Sequence, residues 1–402
     1  MAQYLTFWVA MIKEAFTGDK RYFTWLGGLS VFILFGMVAY YFQFTQGLEV
    51  TNLSDQVSWG VYIANFTFLV GVAAAAVLLV VPAYVFKMKS VKKVVLLGEL
   101  LAVSAIVMCM LFIMVDMGRP DRFWHVIPFI GRLNFPKSVL AWDVVVLNGY
   151  LLLNLHIPGY LLYQLYLGKK PHQSYYLPFV YTSIFWAVSI HTVTAFLYSG
   201  LGGRPYWNAA ILAPRFLISA FAGGPPLLII IFTVINHFYK DFDIEESVFD
   251  LLKKITAVTL PINMFLLGCE LFKEFYTDST HVASAKYLFF GLHGHHLLVP
   301  YIWAAIAFSS IGMVIFLMPK YRNQQRLVLG GSVLIIIGIW IEKGMGLIIP
   351  GFVPSPLGDI VEYTPSAHEF FISLGIWAAG AMIFTLMAKS ALAISSGKLR
   401  KS

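Results

Sequence analysis

Charged residues are scarce in this chain. Asp, Glu, Lys and Arg make up 12% of its 402 residues, whereas 59% of the residues are hydrophobic. A soluble globular domain carries about 25% charged residues, so this composition excludes an ordinary water-soluble protein. Ten apolar segments are each long enough to cross a hydrocarbon core of roughly 30 Å, which takes about 20 residues of helix. The sequence therefore predicts an all-α polytopic membrane protein with about ten transmembrane helices.

The predicted spans define the expected organisation of the chain. They cover residues 23–43, 59–86, 94–116, 139–166, 175–200, 211–238, 252–275, 287–318, 327–349 and 366–392. We expect a cytoplasmic N-terminal segment at 1–22, a first helix bundle at 23–238, a second bundle at 239–392 and a cytoplasmic tail at 393–402.

Cysteine is nearly absent. Cys109 and Cys269 both lie inside apolar segments, and two thiolates are too few for a four-cysteine iron–sulfur cluster. The histidines His293, His295 and His296 offer imidazoles at close spacing, so a haem or metal site is an alternative there. A transmembrane haem needs facing histidines from two helices, however, and we expect neither haem, nor metal, nor an iron–sulfur cluster in this chain.

The net charge of +8 raises the question of a nucleic-acid partner, and the distribution of the basic residues argues against one. When they are counted on alternate sides of ten helices, 19 of the 28 Lys and Arg residues fall on the side of the two termini. Positive charge is enriched in cytoplasmic loops. We therefore expect a multi-pass protein of the cytoplasmic membrane with both termini in the cytoplasm, in contact with the lipid bilayer and with no nucleic acid.

Three titratable residues lie towards the outer ends of neighbouring predicted helices, namely Asp116, Asp143 and His191. At about 1.5 Å per residue, Asp143 lies roughly 7 Å and His191 roughly 15 Å from the outer helix ends. Ionisable groups inside a membrane are functional candidates by default. A carboxylate and a neutral imidazole can accept the two protons that a hydroquinone releases as it is oxidised. The competing interpretation is a satisfied buried polar pair that ties helices together.

Aromatic residues surround these positions. Trp142, Trp186, Phe196 and Tyr198 could hold a flat quinone ring, although aromatic residues in such segments more often pack in the core or at the lipid interface.

A second set of polar residues suggests a proton path. Glu99 and His156 lie in the inner halves of their predicted helices, and Glu270, Glu342 and Glu369 lie towards the outer side. Proton transfer across a membrane needs such groups at short intervals, so we expect these five residues to line a path.

Several stretches resemble the NrfD-like family, the membrane subunits of polysulfide-reductase-type complexes. They include "DMGRPDRFWH" at 116–125, "LAWDVVVLNGYLLLN" at 140–154 and "VPSPLGDIVEYTPSAHEF" at 353–370. The resemblance implies two four-helix bundles plus extra helices, and a quinone site near the outer face. Within the family, the length and the late segment are most similar to DsrP subunits.

The resemblance also implies a function. Such a subunit exchanges electrons between menaquinone, as a bound substrate, and an iron–sulfur protein on the outer side, with cytochrome and other membrane subunits in the same complex. It implies that Asp116, Asp143 and His191 are the catalytic polar positions, with Arg119 beside them. Related subunits often carry His where this chain has Asp116, which leaves the proton acceptor open. Arg122, Trp124 and His125 are expected to support the iron–sulfur partner.

Two other classes remain open. Gly223–Pro226 and Pro261 interrupt the sixth and seventh predicted helices, as in many secondary transporters. A purely structural membrane anchor is the third interpretation.

Overall fold

The computed structural model describes residues 2–278 and 282–401. Residues 279–281 of the expected outer loop at 276–286 and the two terminal residues lie outside the described part. The described chain is helical, and its longer helices are α1 (Ala2–Ala15), α2 (Lys20–Gln46), α3 (Val61–Ala75), α4 (Lys89–Asp116), α5 (Val139–Tyr166), α6 (Gln173–Ser199), α7 (Leu212–Phe238), α8 (Glu246–Thr277), α9 (Val282–Phe289), α10 (Val299–Leu317), α11 (Gln325–Lys343) and α12 (Ala367–Ser395).

Ten helical segments within the described residues are long and apolar enough to cross a membrane. They are α2, α4–α8, α10, α12, and two that extend beyond a regular helix, Val61–Val85 and Gln325–Ile348. The prediction of ten spans is confirmed. The eighth predicted span begins too early, because residues 290–298 are not helical and the span starts at Val299. Glycines with positive φ at Gly291 and Gly294 separate it from α9, since left-handed backbone interrupts a helix.

The helices pack as two four-helix bundles with two further long helices. Helices α3 to α6 form the first bundle, and α7, α8, α10 and α11 form the second. Helix α3 packs against α7 and α11, which joins the bundles. The predicted domain boundary at 238/239 falls in the loop between α7 and α8, and these two helices pack closely against each other across it.

Helices α2 and α12 pack together, and α12 covers α4. They cross at two glycines: a Cβ atom on Gly36 would lie 2.7 Å from the Cα atom of Gly375. Small residues permit this close approach between membrane helices. The N-terminus of α12 is fixed by a capping box between Ser366 and Glu369.

The second span is irregular near its end. Helix α3 is followed by a turn of α-helix at Val77–Val80 and by a π-helical turn at Val81–Val85 that contains Pro82. Proline lacks the N–H needed for a regular helical bond. This segment packs against α4, which carries Glu99.

Candidate functional site

Asp143 and Thr194 connect two neighbouring helices of the first bundle. The Thr194 hydroxyl on α6 donates a hydrogen bond of 2.9 Å to Asp143 Oδ1 on α5. Asp143 is 3% exposed and Thr194 is fully buried. Helices α5 and α6 pack along their lengths, so the bond holds the carboxyl group in a defined orientation inside the bundle.

His191 lies one helical turn before Thr194 on the same helix. Its Nδ1 is 3.2 Å from the carbonyl oxygen of Ala187, and its Nε2 has no hydrogen-bond partner among the described residues. In the tautomer whose Nδ1–H donates to Ala187, Nε2 carries a free lone pair. His191 can therefore accept a proton at Nε2. The structure shows no hydrogen bond between Asp143 and His191 within the described chain.

A cavity of about 20 Å³ lies beside His191. It is lined by side chains from both bundles, including Thr67, His191, Phe216 and Lys343. This volume admits a water molecule but not a quinone ring, so a ring that reached His191 here would have to displace side chains.

The lipid-facing surface next to Asp143 is apolar. Leu140 on α5 is 61% exposed and Phe196 on α6 is 51% exposed. These side chains lie within one turn of Asp143 and Thr194. A lipid-soluble molecule would therefore meet apolar surface directly outside the buried carboxyl group.

Asp116 is the last residue of α4. Its Oδ1 is buried and has no partner among the described residues. Nearby, the Gln43 side chain ties α2 to this end of the bundle: Nε2 donates to the Val115 carbonyl oxygen at 2.6 Å, and Oε1 accepts from the Tyr62 hydroxyl at 2.6 Å. Asp116 thus lies at a helix end that polar contacts hold in place.

The predicted aromatic residues do not form one group. Tyr198 is fully buried, and its hydroxyl lies 2.5 Å from Thr67 Oγ1. Trp186 is half-buried and donates to the Val146 carbonyl oxygen at 2.9 Å. Trp142 is 40% exposed and donates to the Pro136 carbonyl oxygen at 2.8 Å. Tyr198 and Trp186 lie inside the first bundle, whereas Trp142 lies on its surface.

Arg119 points into solvent and pairs with Asp121 through bonds of 2.9 and 2.8 Å. This pairing raises the pKa of Arg119 and lowers the pKa of Asp121. No bond between Arg119 and Asp116 occurs in the described part of the chain. In the same loop, Trp124 stacks on His125 with ring centres 3.9 Å apart and is 46% exposed.

Glu369 is fully buried and serves as a structural acceptor. It accepts from the backbone N–H groups of Ser366 and Asn52 at 2.8 and 2.9 Å, and from the Tyr363 hydroxyl. Burial raises the pKa of Tyr363 well above its usual range, so this phenol stays protonated and donates. Glu369, in the first turn of α12, therefore joins the loop at 349–366 to the loop after α2.

The second bundle contains a buried charge cluster, which we define as Arg215, Asn263, Glu270, Glu342 and Lys343. Arg215 pairs with Glu270 and, at 2.8 Å, with Glu342. The Asn263 amide donates to Glu342 at 3.1 Å. Lys343 Nζ lies 3.6 Å from Glu342 Oε1, beyond hydrogen-bond distance. The cluster combines the predicted residues Glu270 and Glu342 with three others.

Arg215 and Lys343 lie inside the predicted spans 211–238 and 327–349 but were not among the predicted site residues. Both side chains are 4% exposed within α7 and α11. Their burial could have been predicted from one feature of the sequence: each is a basic residue inside an apolar segment, in "LAPRF" and "WIEKG". Arg215 pairs with acidic residues on two other helices, and Lys343 lies beside Glu342 on its own helix, which makes this burial possible. The residue spacing along one helix does not reveal the contacts between helices.

Glu99 and His156 lie in different surroundings. Glu99 is 1% exposed, and both its carboxyl oxygens lack a partner among the described residues. His156 is exposed, with Nε2 3.2 Å from the Tyr175 hydroxyl. The structure does not bring these two side chains together.

The histidine-rich loop at 290–298 contacts Glu362 in the loop at 349–366. His295 Nδ1 lies 3.3 Å from Glu362 Oε2, and Glu362 also accepts from the Leu297 N–H at 2.9 Å. No group of three His, Cys, Asp or Glu residues suited to a metal ion occurs within residues 2–278 and 282–401.

Fold and site together define a polytopic, all-α membrane protein with buried titratable groups in two adjoining four-helix bundles. Residues 49–354 match the family model described as polysulphide reductase, NrfD. The chain belongs to this family.

Curated relatives align over nearly the whole chain. A selenate reductase subunit of Mesobacillus selenatarsenatis is 24% identical, with 91% of this chain and 92% of the relative aligned. The Hdr-like menaquinol oxidoreductase integral membrane subunit of Archaeoglobus fulgidus is 25% identical, with 92% of this chain and 94% of the relative aligned. The menaquinone reductase integral membrane subunit of Nitratidesulfovibrio vulgaris is 21% identical, with 91% of this chain and 90% of the relative aligned. This chain is an integral membrane subunit of a redox complex.

Proposed function

We propose that this chain is the quinone-interacting subunit of a respiratory redox complex. It exchanges electrons between menaquinol or menaquinone and an iron–sulfur partner on the outer side of the cytoplasmic membrane. The observation that carries this proposal is the buried pair of Asp143 and Thr194 on α5 and α6, with the free Nε2 of His191 one turn away. Two relatives named for menaquinol or menaquinone support it.

The chemistry follows from the two acceptors. Oxidation of a hydroquinone releases two electrons and two protons. Asp143, held by Thr194, accepts one proton, and His191 Nε2 accepts the other. The electrons leave to the iron–sulfur partner, since two cysteines cannot supply a cluster in this chain. Reduction of a quinone uses the same groups in reverse.

The partner surface is proposed to lie on the loop at 117–138. Phe129 and Ile130 in this loop are 105% and 68% exposed, and Arg122 and Arg132 add positive charge. Arg122, Trp124 and His125 form part of the expected contact with the iron–sulfur protein. Cytochrome and further membrane subunits complete the proposed complex. Assignment to the DsrP group and to sulfur metabolism stays a prediction.

The transporter alternative has weaker support. Such transporters use discontinuous helices at the binding site, whereas α7 continues through Pro225 and Pro226 and α8 continues through Pro261. A structural anchor would bind no quinone at all.

Fluorescence quenching tests the proposal on the purified chain. Trp186 contacts α5 at Val146, within one turn of Asp143, so a menaquinol analogue in the site should quench its emission. We expect saturable quenching in the wild type and a smaller amplitude in Trp186→Phe. Trp25→Phe is the matched control, because Trp25 is exposed on α2. Absence of saturable quenching in the wild type would overturn the proposal.

A further inference from the structure

Two residues that line the same cavity from different bundles each have a buried nitrogen atom without a hydrogen-bond partner in the described chain. His191 Nε2 belongs to α6 and Lys343 Nζ belongs to α11. Neither has a hydrogen-bond partner in the described chain, and both residues line the cavity of about 20 Å³. A buried polar group without a partner is costly, and the cost is removed if both atoms bind one water molecule.

The cavity meets the requirements for such a water. Its volume exceeds the roughly 10–15 Å³ that a water needs. Thr67 and Ser219 also line it. Their hydroxyl groups donate to the carbonyl oxygens of Ile63 and Phe216, so either oxygen can serve a water as acceptor. Among these lining groups of the described chain, Lys343 is the one that also belongs to the buried charge cluster.

We propose that Lys343 passes protons between the two bundles through a water held in this cavity. Lys343 Nζ gives a proton to the water, and the water gives one of its own protons to His191 Nε2. The amine becomes neutral and the imidazole becomes cationic, so the total charge is unchanged. The reverse transfer discharges His191 after it has taken a proton from a hydroquinone. This inference rests on the proposed function for the source of that proton.

The second bundle extends the route towards water. Glu342 Oε1 lies 3.6 Å from Lys343 Nζ, and Asn263 contacts the other Glu342 oxygen. Asn263 shares one face of α8 with Thr259 and Thr256, at spacings of four and three residues. Thr256 and Asn263 are fully buried, as is Ser332 on α11.

An open basin lies at the far end of this polar row. It has a volume of about 510 Å³ and is lined by Thr233, Asn236, Lys240 and Lys253, among other residues. Along α7, Thr233 is about 27 Å from Arg215 at 1.5 Å per residue. In the proposed route, this basin is where protons enter, at the end opposite Arg215.

A high-resolution cryo-EM map of the intact complex tests the water directly. We expect a density peak within hydrogen-bond distance of both His191 Nε2 and Lys343 Nζ. A dry cavity, or a map in which Lys343 is turned away from it, would overturn the relay. This readout does not depend on quinone turnover, so it is separate from the fluorescence test of the proposed function.

Two variants test the transfer in proteoliposomes that contain the complex. Lys343→Met removes the amine and keeps the side-chain length. Gly71→Ala adds a methyl group at the cavity wall, 3.6 Å from Ala220 Cβ, and leaves every titratable group in place. Gly268→Ala is the matched control, because nothing lies within 4 Å of its added methyl group.

We expect menaquinol-analogue binding within two-fold of the wild type in all three variants. Protons moved per electron should fall at least two-fold in Lys343→Met and in Gly71→Ala, and stay unchanged in Gly268→Ala. An unchanged proton-to-electron ratio in both Lys343→Met and Gly71→Ala would overturn the relay. Loss of analogue binding in the wild type would instead count against the proposed function.

Discussion

The two bundles bury their ionisable groups in opposite ways. In the first bundle, Asp143 bonds to a neutral hydroxyl, and Glu99 and the Nε2 of His191 have no partner within the described residues. In the second, Arg215 pairs with both Glu270 and Glu342. A buried ion pair fixes helix positions, whereas a buried ionisable group without a partner is a candidate for proton chemistry. We therefore propose that the first bundle takes up the substrate protons, and that Arg215, Glu270 and Glu342 mainly position helices in the second.

The largest expected effect is on stability and comes from breaking the ion pairs. Arg215→Met leaves Glu270 and Glu342 buried without their cation, which should cost about 3–5 kcal/mol. We expect a clearly lower apparent unfolding temperature or loss of the purified protein. The measurement is thermal unfolding in detergent, with the exposed Arg326→Met as control.

A quadruple variant sharpens this result. Replacing Arg215, Glu270, Glu342 and Lys343 together by Met removes all four charges of the cluster. It should recover most of the lost stability, because apolar replacement of a complete buried ion network is often tolerated. An unchanged unfolding temperature in Arg215→Met alone would contradict the structural role of the pairs.

The next effect is on electron transfer and concerns the first bundle. Asp143→Asn and His191→Ala should each lower quinol-dependent electron transfer at least ten-fold, since a positioned acid or base contributes roughly 10²–10⁴-fold. Assembly of the complex should be retained. Trp25→Phe is the control, because Trp25 is exposed on α2, outside both bundles. Near-normal turnover in both site variants would mean that the site lies elsewhere.

The smallest expected effect comes from Glu99→Gln. No hydrogen bond connects Glu99 to Asp143 among the described residues, so we expect electron transfer and the proton-to-electron ratio to change less than two-fold. Turnover and proton uptake in proteoliposomes measure this, with Lys343→Met compared under the same conditions. A larger fall for Glu99→Gln than for Lys343→Met would favour a proton route through the first bundle.

The spans could be predicted from sequence because each is set by local composition. Twenty apolar residues identify a membrane helix wherever its neighbours lie. The break between α9 and α10 was not predicted, because apolar residues flank the histidines of 290–298 on both sides. The helix is interrupted there by left-handed backbone at Gly291, His293 and Gly294.

The candidate site was predictable in part. Asp143 and His191 stand out as polar residues in apolar segments, and the structure places them on neighbouring helices. Arg215 and Lys343 were not predicted as site residues, because the cluster is held by contacts of Arg215 with Glu270 and Glu342, which lie far along the chain. Glu369 looks like a proton-path residue in the sequence, and only the contacts with Asn52 and Tyr363 reveal its structural role.

Photoaffinity labelling tests the central claim most directly. A photoreactive quinone is bound to the intact complex, activated by light, and its adducts are located by mass spectrometry. The account predicts competable adducts on α5 and α6 close to Asp143 and Thr194, and their loss when excess menaquinol analogue is present. Adducts confined to α8, α10 and α11 of the second bundle, or no competable adducts at all, would contradict it.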